Sequence, residues 1–100
     1  MGLPIATLNS VTFGTVVCVE TPFDDSGIVI QGSSNVNASG LGVARIGDMV
    51  ISNSGYVGII VDGSNTVITN GLGTARVTSN FVSNCYIGQI ITGNNTVLIG

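Results

Sequence analysis

One hundred residues with only seven charged side chains, a net charge of −3 and no histidine bound this chain before any motif is read. They allow one domain, residues 1–100, with a modest core and a net stability of about 5–10 kcal/mol. They exclude a nucleic-acid binder, because neutralising phosphates needs Lys and Arg and only Arg45 and Arg76 are present.

With 44% hydrophobic residues and 15 glycines, the surface must be built from Ser, Thr, Asn and backbone. That balance favours association with other protein surfaces. The start, MGLPIATLNS, lacks the basic and apolar regions of a signal peptide, and no apolar run approaches the roughly 18 residues of a membrane span. Synthesis in the cytoplasm without general secretory export is expected.

In chain order, Leu3-Pro4-Ile5-Ala6-Thr7 comes first and is met again below. A long segment, Gly14 to Ser26, carries Cys18, Glu20, Asp24 and Asp25. Gly27-Ile28-Val29-Ile30 is a β-branched run, ended by the cluster Gly32-Ser33-Ser34-Asn35, and Val36 opens a return strand. The cluster predicts a tight hairpin, since Gly and Asn tolerate positive φ and Ser and Asn can bond their own backbone. A second turn follows at Ser39-Gly40-Leu41-Gly42, then Val43-Ala44-Arg45 and Gly47-Asp48.

The same order then recurs. Gly58-Ile59-Ile60-Val61 leads to Gly63-Ser64-Asn65-Thr66, Val67, the turn Asn70-Gly71-Leu72-Gly73 and Thr74-Ala75-Arg76. Aligned without a gap, Gly27–Asn53 and Gly58–Asn84 are identical at 12 of 27 positions. Gly88-Gln89-Ile90-Ile91, Gly93-Asn94-Asn95-Thr96 and Val97 begin a third copy that stops at Gly100. Its missing half is at the other end, where Leu3–Thr7 aligns with Leu41–Arg45 and Leu72–Arg76.

No helical period of useful length is present, so the chain reads as all-β. Repeats of this size are single supersecondary units that bury their apolar faces only against copies of themselves. A third unit split between the termini predicts that the C-terminal strands pair with the N-terminal segment. The result is a small pseudo-threefold β-prism, a ring of three repeats without exposed sheet edges; an open solenoid with frayed ends is the alternative. Ala6, Ala44 and Ala75, identical in all three units, are expected at a close-packed position on the axis.

The string Gly-x-Ile-x-x-Gly-Ser-x-x-Val-x-x-Asn-Gly-x-x-x-Ala-Arg-x-Gly-Asp resembles the PAAR repeat, degenerate here as Pro4-Ile5-Ala6-Thr7, Gly42-Val43-Ala44-Arg45 and Gly73-Thr74-Ala75-Arg76. The resemblance implies a small conical pseudo-threefold β-prism, a tip that caps the blunt end of a trimeric β-helical spike, one copy per trimer, in phage baseplates, type VI secretion systems and related injection particles. It implies location in a virion tail spike or injection particle, transient contact with a target-cell envelope, and a structural, puncturing role. The chain has no extension beyond its repeats, so the likeness is to a phage-type tip.

Many members of that family fix the apex with zinc held by histidines and a cysteine. The corresponding loops here, Gly14–Ser26, Ser52–Val57 and Ser83–Ile87, offer Cys18, Ser54, Tyr56, Cys85 and Tyr86 but no histidine. No metal and no other cofactor is therefore expected. The preferred reading of Cys18 and Cys85 is two small buried thiols; a disulfide between them, or a metal held by both sulfurs and a carboxylate, are the alternatives. The acids of the long first loop read as solvated. Arg45 and Arg76 are expected to pair with Asp48, Asp62 or a backbone carbonyl.

There is no His for a general base, no nucleophile elbow and no phosphate loop, so no enzymatic activity is expected. Docking to the spike is assigned to the turns Gly32–Asn35, Gly63–Thr66 and Gly93–Thr96 with neighbouring apolar strand residues. A carbohydrate-binding β-prism is the alternative function; such lectins present aromatic and acidic residues in a sugar-binding loop, whereas this chain has no Trp, and Tyr56 and Tyr86 sit in two of the presumed apex loops beside no acid in sequence.

Overall fold

Six strands arranged as three antiparallel hairpins close on themselves to form a barrel. A computed structural model describes residues 2–99; Met1 and Gly100, which end the 1–100 domain and the third copy, lie outside the described residues. The barrel hairpins are β2 (Val11–Val16) with β3 (Phe23–Val29), β6 (Met49–Ser52) with β7 (Val57–Ile60), and β10 (Asn80–Val82) with β11 (Tyr86–Ile90). Their order is β10-β11-β2-β3-β6-β7, and β7 pairs with β10 to complete the ring.

Three short ribbons make the rest of the molecule: β4 (Asn37–Ala38) with β5 (Leu41–Gly42), β8 (Ile68–Thr69) with β9 (Leu72–Gly73), and β1 (Leu3–Ile5) with β12 (Asn94–Ile99). The last of these is the expected closure. Leu3 faces Ile99 and Pro4 faces Leu98 in antiparallel register, so the two ends of the chain rebuild the ribbon that each of the other units makes alone. The fold is all-β among the described residues, with an elongated envelope of 39 × 25 × 22 Å.

Between barrel and ribbons lies the ring of alanines. The Ala6 N–H donates to Ala75 O (3.0 Å), the Ala75 N–H to Ala44 O (2.9 Å) and the Ala44 N–H to Ala6 O (2.9 Å). All three side chains are fully buried. Three backbones that approach closely enough to bond in a triangle leave room for a methyl group and nothing larger, which explains why the repeat holds Ala there.

On the barrel side the core contains Val16, Val29, Val50, Ile60, Ile90, Phe81 and Tyr86. The Phe81 and Tyr86 rings tilt against each other with centroids 4.7 Å apart. On the ribbon side a smaller cluster joins Ile5, Ala38, Val43 and Ile99.

The waist turns after the alanines also repeat. Thr7, Arg45 and Arg76 donate their N–H groups to Ser10 Oγ (3.0 Å), Asp48 Oδ2 (2.8 Å) and Ser79 Oγ (3.0 Å). Asn9, Gly47 and Thr78 occupy one turn position and all have positive φ (69°, 96° and 80°). Glycine adopts that conformation freely and a β-branched residue does so at a cost.

Two turn assignments need correction. The clusters at Gly32–Asn35 and Gly63–Thr66 are not hairpin turns: β3 pairs with β2 and β6, and β7 pairs with β6 and β10. They are bends that carry the chain from barrel to ribbon, held because Ser33 Oγ accepts from Asn35 N and Val36 N, and Ser64 Oγ from Thr66 N and Val67 N. In the third unit strand β12 already begins at Asn94. The true hairpin turns are Ser39-Gly40 and Asn70-Gly71, with φ of 51° and 82°, and 53° and 79°. Positive φ at both central residues is the type I′ geometry that matches strand twist.

The long first segment is also not a loop throughout. Its extra residues lengthen the β2–β3 ladder, so that Val16 faces Phe23 and Thr15 faces Asp24, leaving only Val17–Pro22 outside strands. Asp24 and Asp25 therefore belong to a strand, and Glu20 alone of the three acids is in the connection.

Candidate functional site

The two ends of the molecule differ in charge. The ribbon region, residues 2–5, 32–42, 63–73 and 93–99, has no charged side chain. The hairpin connections at the far end of the barrel lie beside Glu20, Asp24 and Asp25, and the other charged side chains are at the waist. The two most exposed large apolar side chains are on the ribbons, Leu98 at 58% and Ile68 at 56%, and Leu41 and Leu72 are also open there, while the barrel wall exposes Phe13, Val57, Val82 and Ile87 among others. Leu3, Leu41 and Leu72 hold the same repeat position. An apolar residue identical in every unit is normally core, so exposure of two of the three marks a surface that water alone does not explain.

The candidate docking residues separate into two groups. Ser34, Asn35, Asn65, Thr66, Asn95 and Thr96 are exposed, and Gly32, Gly63, Gly93 and Asn94 are half-buried. Ser33 and Ser64 are not available to a partner: they are 4% and 2% exposed and their hydroxyls are taken up by the bends. The signal for this was in the sequence, because a serine two and three residues before the backbone groups it bonds is a local turn device.

At the barrel end, Cys18 and Cys85 form a disulfide with Cα atoms 4.5 Å apart. This overturns the reading as buried free thiols. Cys18 is exposed and Cys85 half-buried, and the ring places the connections of the first and third hairpins side by side, where Val17 N–H donates to Cys85 O (2.7 Å). Both sulfurs are consumed by each other, no histidine is present, and among the described residues no group of three or more His, Cys, Asp or Glu is placed to hold a metal ion. The donor set does not fit the zinc of the related tips.

Tyr86 is another correction. It starts strand β11 and is fully buried, sharing a hydrogen bond with Thr12 Oγ1 (3.1 Å) and donating to the Asp25 carbonyl (3.2 Å). Burial pushes its phenol up from the ordinary value. A tyrosine in that position plugs the barrel and offers no face to a sugar, unlike the half-buried Tyr56. Ser54 is exposed, and its N–H donates to Asp25 Oδ2 (3.0 Å). Desolvation opposes ionisation of Asp25, but hydrogen bonds from Ser54, Ser26 and Ser52 outweigh it and hold the carboxyl below the ordinary carboxylate value.

At the waist Arg45 pairs with Asp48: Nη2 donates to Oδ1 (2.9 Å) and Nε to Oδ2 (2.9 Å). The hydrogen bond to Asp48 raises the guanidinium pKa further. Asp62 does not pair with an arginine but accepts from Asn80. Arg76 has Ser79 where Arg45 has Asp48, and its Nε and Nη1 are buried without a partner.

Compared with proteins of curated function, the chain has no significant match. The family model of the PAAR motif matches residues 19–81, more than half of the chain.

Proposed function

Because the chain belongs to the PAAR-motif family, which is known from spike-tip proteins of contractile injection systems, we propose that it caps the blunt end of a trimeric β-helical spike, one copy per trimer. A single chain with pseudo-threefold symmetry offers three similar ribbons to a partner with true threefold symmetry. The observation that supports this most is the asymmetry of the ends: an uncharged ribbon end with exposed Leu41, Leu72, Ile68 and Leu98, and an acidic barrel end closed by a disulfide. An apolar, uncharged face loses little by desolvation when covered, whereas carboxylates stay in water.

On this reading the ribbon end docks and the barrel end leads. The role is mechanical, without a catalytic step or resident cofactor, in a virion baseplate or injection particle, and contact with the target envelope is transient. A closed ring with a covalent link between its first and third hairpins suits a part driven through an envelope, because opening one edge does not release the strands.

The test is to mix the chain with a trimeric β-helical spike fragment and measure stoichiometry by light scattering. One chain per trimer is expected; three per trimer, or no complex, overturns the reading. Ile68→Glu and Leu72→Glu should abolish the complex with little change in thermal stability, since both side chains are exposed, while Phe13→Glu on the barrel wall should leave it intact. The reverse pattern would place the docking face on the barrel.

A further inference from the structure

The waist has three equivalent positions, and two of them hold an arginine. Arg45 lies between its own turn and the ribbon of the next unit, where Nη1 donates to Asn70 Oδ1 (3.1 Å), and Asn70 Nδ2 in turn donates to Asn35 Oδ1 (2.9 Å). Arg76 occupies the second position beside Ser79. The third residue is Thr7, whose side chain is far shorter, and the structure has a cleft of about 300 Å³ there.

Two residues of its wall, Ser39 and Ser10, hold the repeat positions of Asn70 and Asp48, the residues that bond Arg45. Ser39 takes the place of Asn70 at the ribbon turn, with φ of 51° against 53°. Asn94 in the neighbouring bend donates to Ser39 Oγ (2.7 Å), as Asn70 and Asn35 bond each other around Arg45. Ala38 and Leu41 supply an apolar flank, and Ser10 stands where Asp48 does. The cleft therefore keeps the positions that bond an arginine at the sister site and lacks the arginine.

We propose that the cleft at Thr7 receives a basic side chain, arginine by preference, from a protein partner. The stem would lie along Ala38 and Leu41, as long charged side chains cover apolar surface. The guanidinium would donate to Ser39 Oγ, which has a lone pair left after accepting from Asn94. At the sister position Arg76 is seated beside Ser79 without the ion pair that holds Arg45, and its Nε and Nη1 are buried without a partner. No charged side chain lines the cleft, so a guanidinium arriving from outside meets no like charge and is held by hydrogen bonds and by its apolar stem. The inference holds whether or not the partner is a spike.

The probe is L-argininamide, titrated into the isotope-labelled full chain and followed by amide NMR, with L-leucinamide as the control that shares its α-ammonium group. Argininamide should shift the amides of Thr7, Ser10, Ser39 and Asn94 together, with leucinamide at least about fivefold weaker. Thr7→Arg, which fills the cleft from within, should abolish these shifts and raise the melting temperature. Ser39→Ala removes the acceptor without filling the cleft and should weaken binding; it decides the matter should Thr7→Arg fail to fold. Equal binding of both amides, undiminished binding by either variant, or no localised shift at the solubility limit of argininamide overturns the proposal.

Discussion

Removing the Cys18–Cys85 bond is the most direct perturbation of the barrel end. The bond joins residues 67 apart, and the loop-closure relation gives about 4.4 kcal/mol at 25 °C for that separation. Measured bonds usually deliver less, so a loss of about 2–4 kcal/mol is expected for Cys18→Ser with Cys85→Ser. In a domain of this size each kcal/mol moves the midpoint by roughly 4–8 °C, which predicts a fall of about 8–32 °C. The assay is thermal unfolding by circular dichroism, with and without reductant.

A further signature separates a bond from two independent packing sites. Either single substitution already breaks the link, so each should cost nearly as much as the double, a gross departure from additivity. Reductant should shift the parent and leave the double variant unchanged. Singles that add to the double, or a double variant within about 1 kcal/mol of the parent, would refute the reasoning. The second outcome would mean that the ring is stable without its covalent link.

Other expectations follow from the waist and the axis. Ala75→Leu must place three further carbons where three backbones bond in a triangle, and should cost about 1–3 kcal/mol or prevent folding, read by the same thermal assay; an unchanged midpoint would show that the axis has room. Asp48→Ser copies Ser10 and Ser79, keeping an acceptor for the Arg45 N–H but losing the ion pair. With Arg45 one-fifth exposed (20%), a cost near the lower end of about 1.5–3 kcal/mol is expected in denaturant titration. Thr78→Gly relieves a β-branched residue at φ 80° and should gain about 0.5–1 kcal/mol after the entropy of glycine is counted; a loss would mean that the Thr78 methyl contributes packing.

Acid should act on Asp25. Its folded pKa is lowered from the ordinary carboxylate value, so its contribution is fully present above the unfolded value and is lost as pH falls through the lower folded one. The Ser54–Asp25 contact should therefore persist at neutral pH and release only in acid, seen as paired shifts of the Asp25 carboxyl and the Ser54 amide. A carboxyl titrating above that of an unstructured aspartate would contradict it.

What the sequence alone determined is whatever the repeat states three times. The axial alanines, the joining of Leu3–Ile5 to the C-terminal strand and the type I′ turn at Asn70-Gly71 were legible because a unit repeated in register must place equivalent residues in equivalent surroundings. Local chemistry was enough to mark Gly32–Asn35 as a change of direction, but not which strand lay beyond it. Hydrogen-bond partners of β3 come from β2 and β6, and pairing is a non-local choice.

Only the tertiary structure decided what depends on departures from the repeat. Cys18 and Cys85 align with no cysteine partner in their own units, and closure of the ring is what brings them together. Tyr86 aligns with Tyr56, yet one is fully buried against Phe81 with its hydroxyl bonded to Thr12 and the other is half-buried, because the barrel that already holds the Phe81 and Tyr86 rings has only one core to share among the three units. Thr7 in the sequence is a degenerate arginine; in the folded ring it is a cleft, since the walls built by Ala38, Ser39, Leu41 and Asn94 remain when the side chain between them is lost. Symmetry carried the fold, and the places where it breaks carry what is particular to this chain.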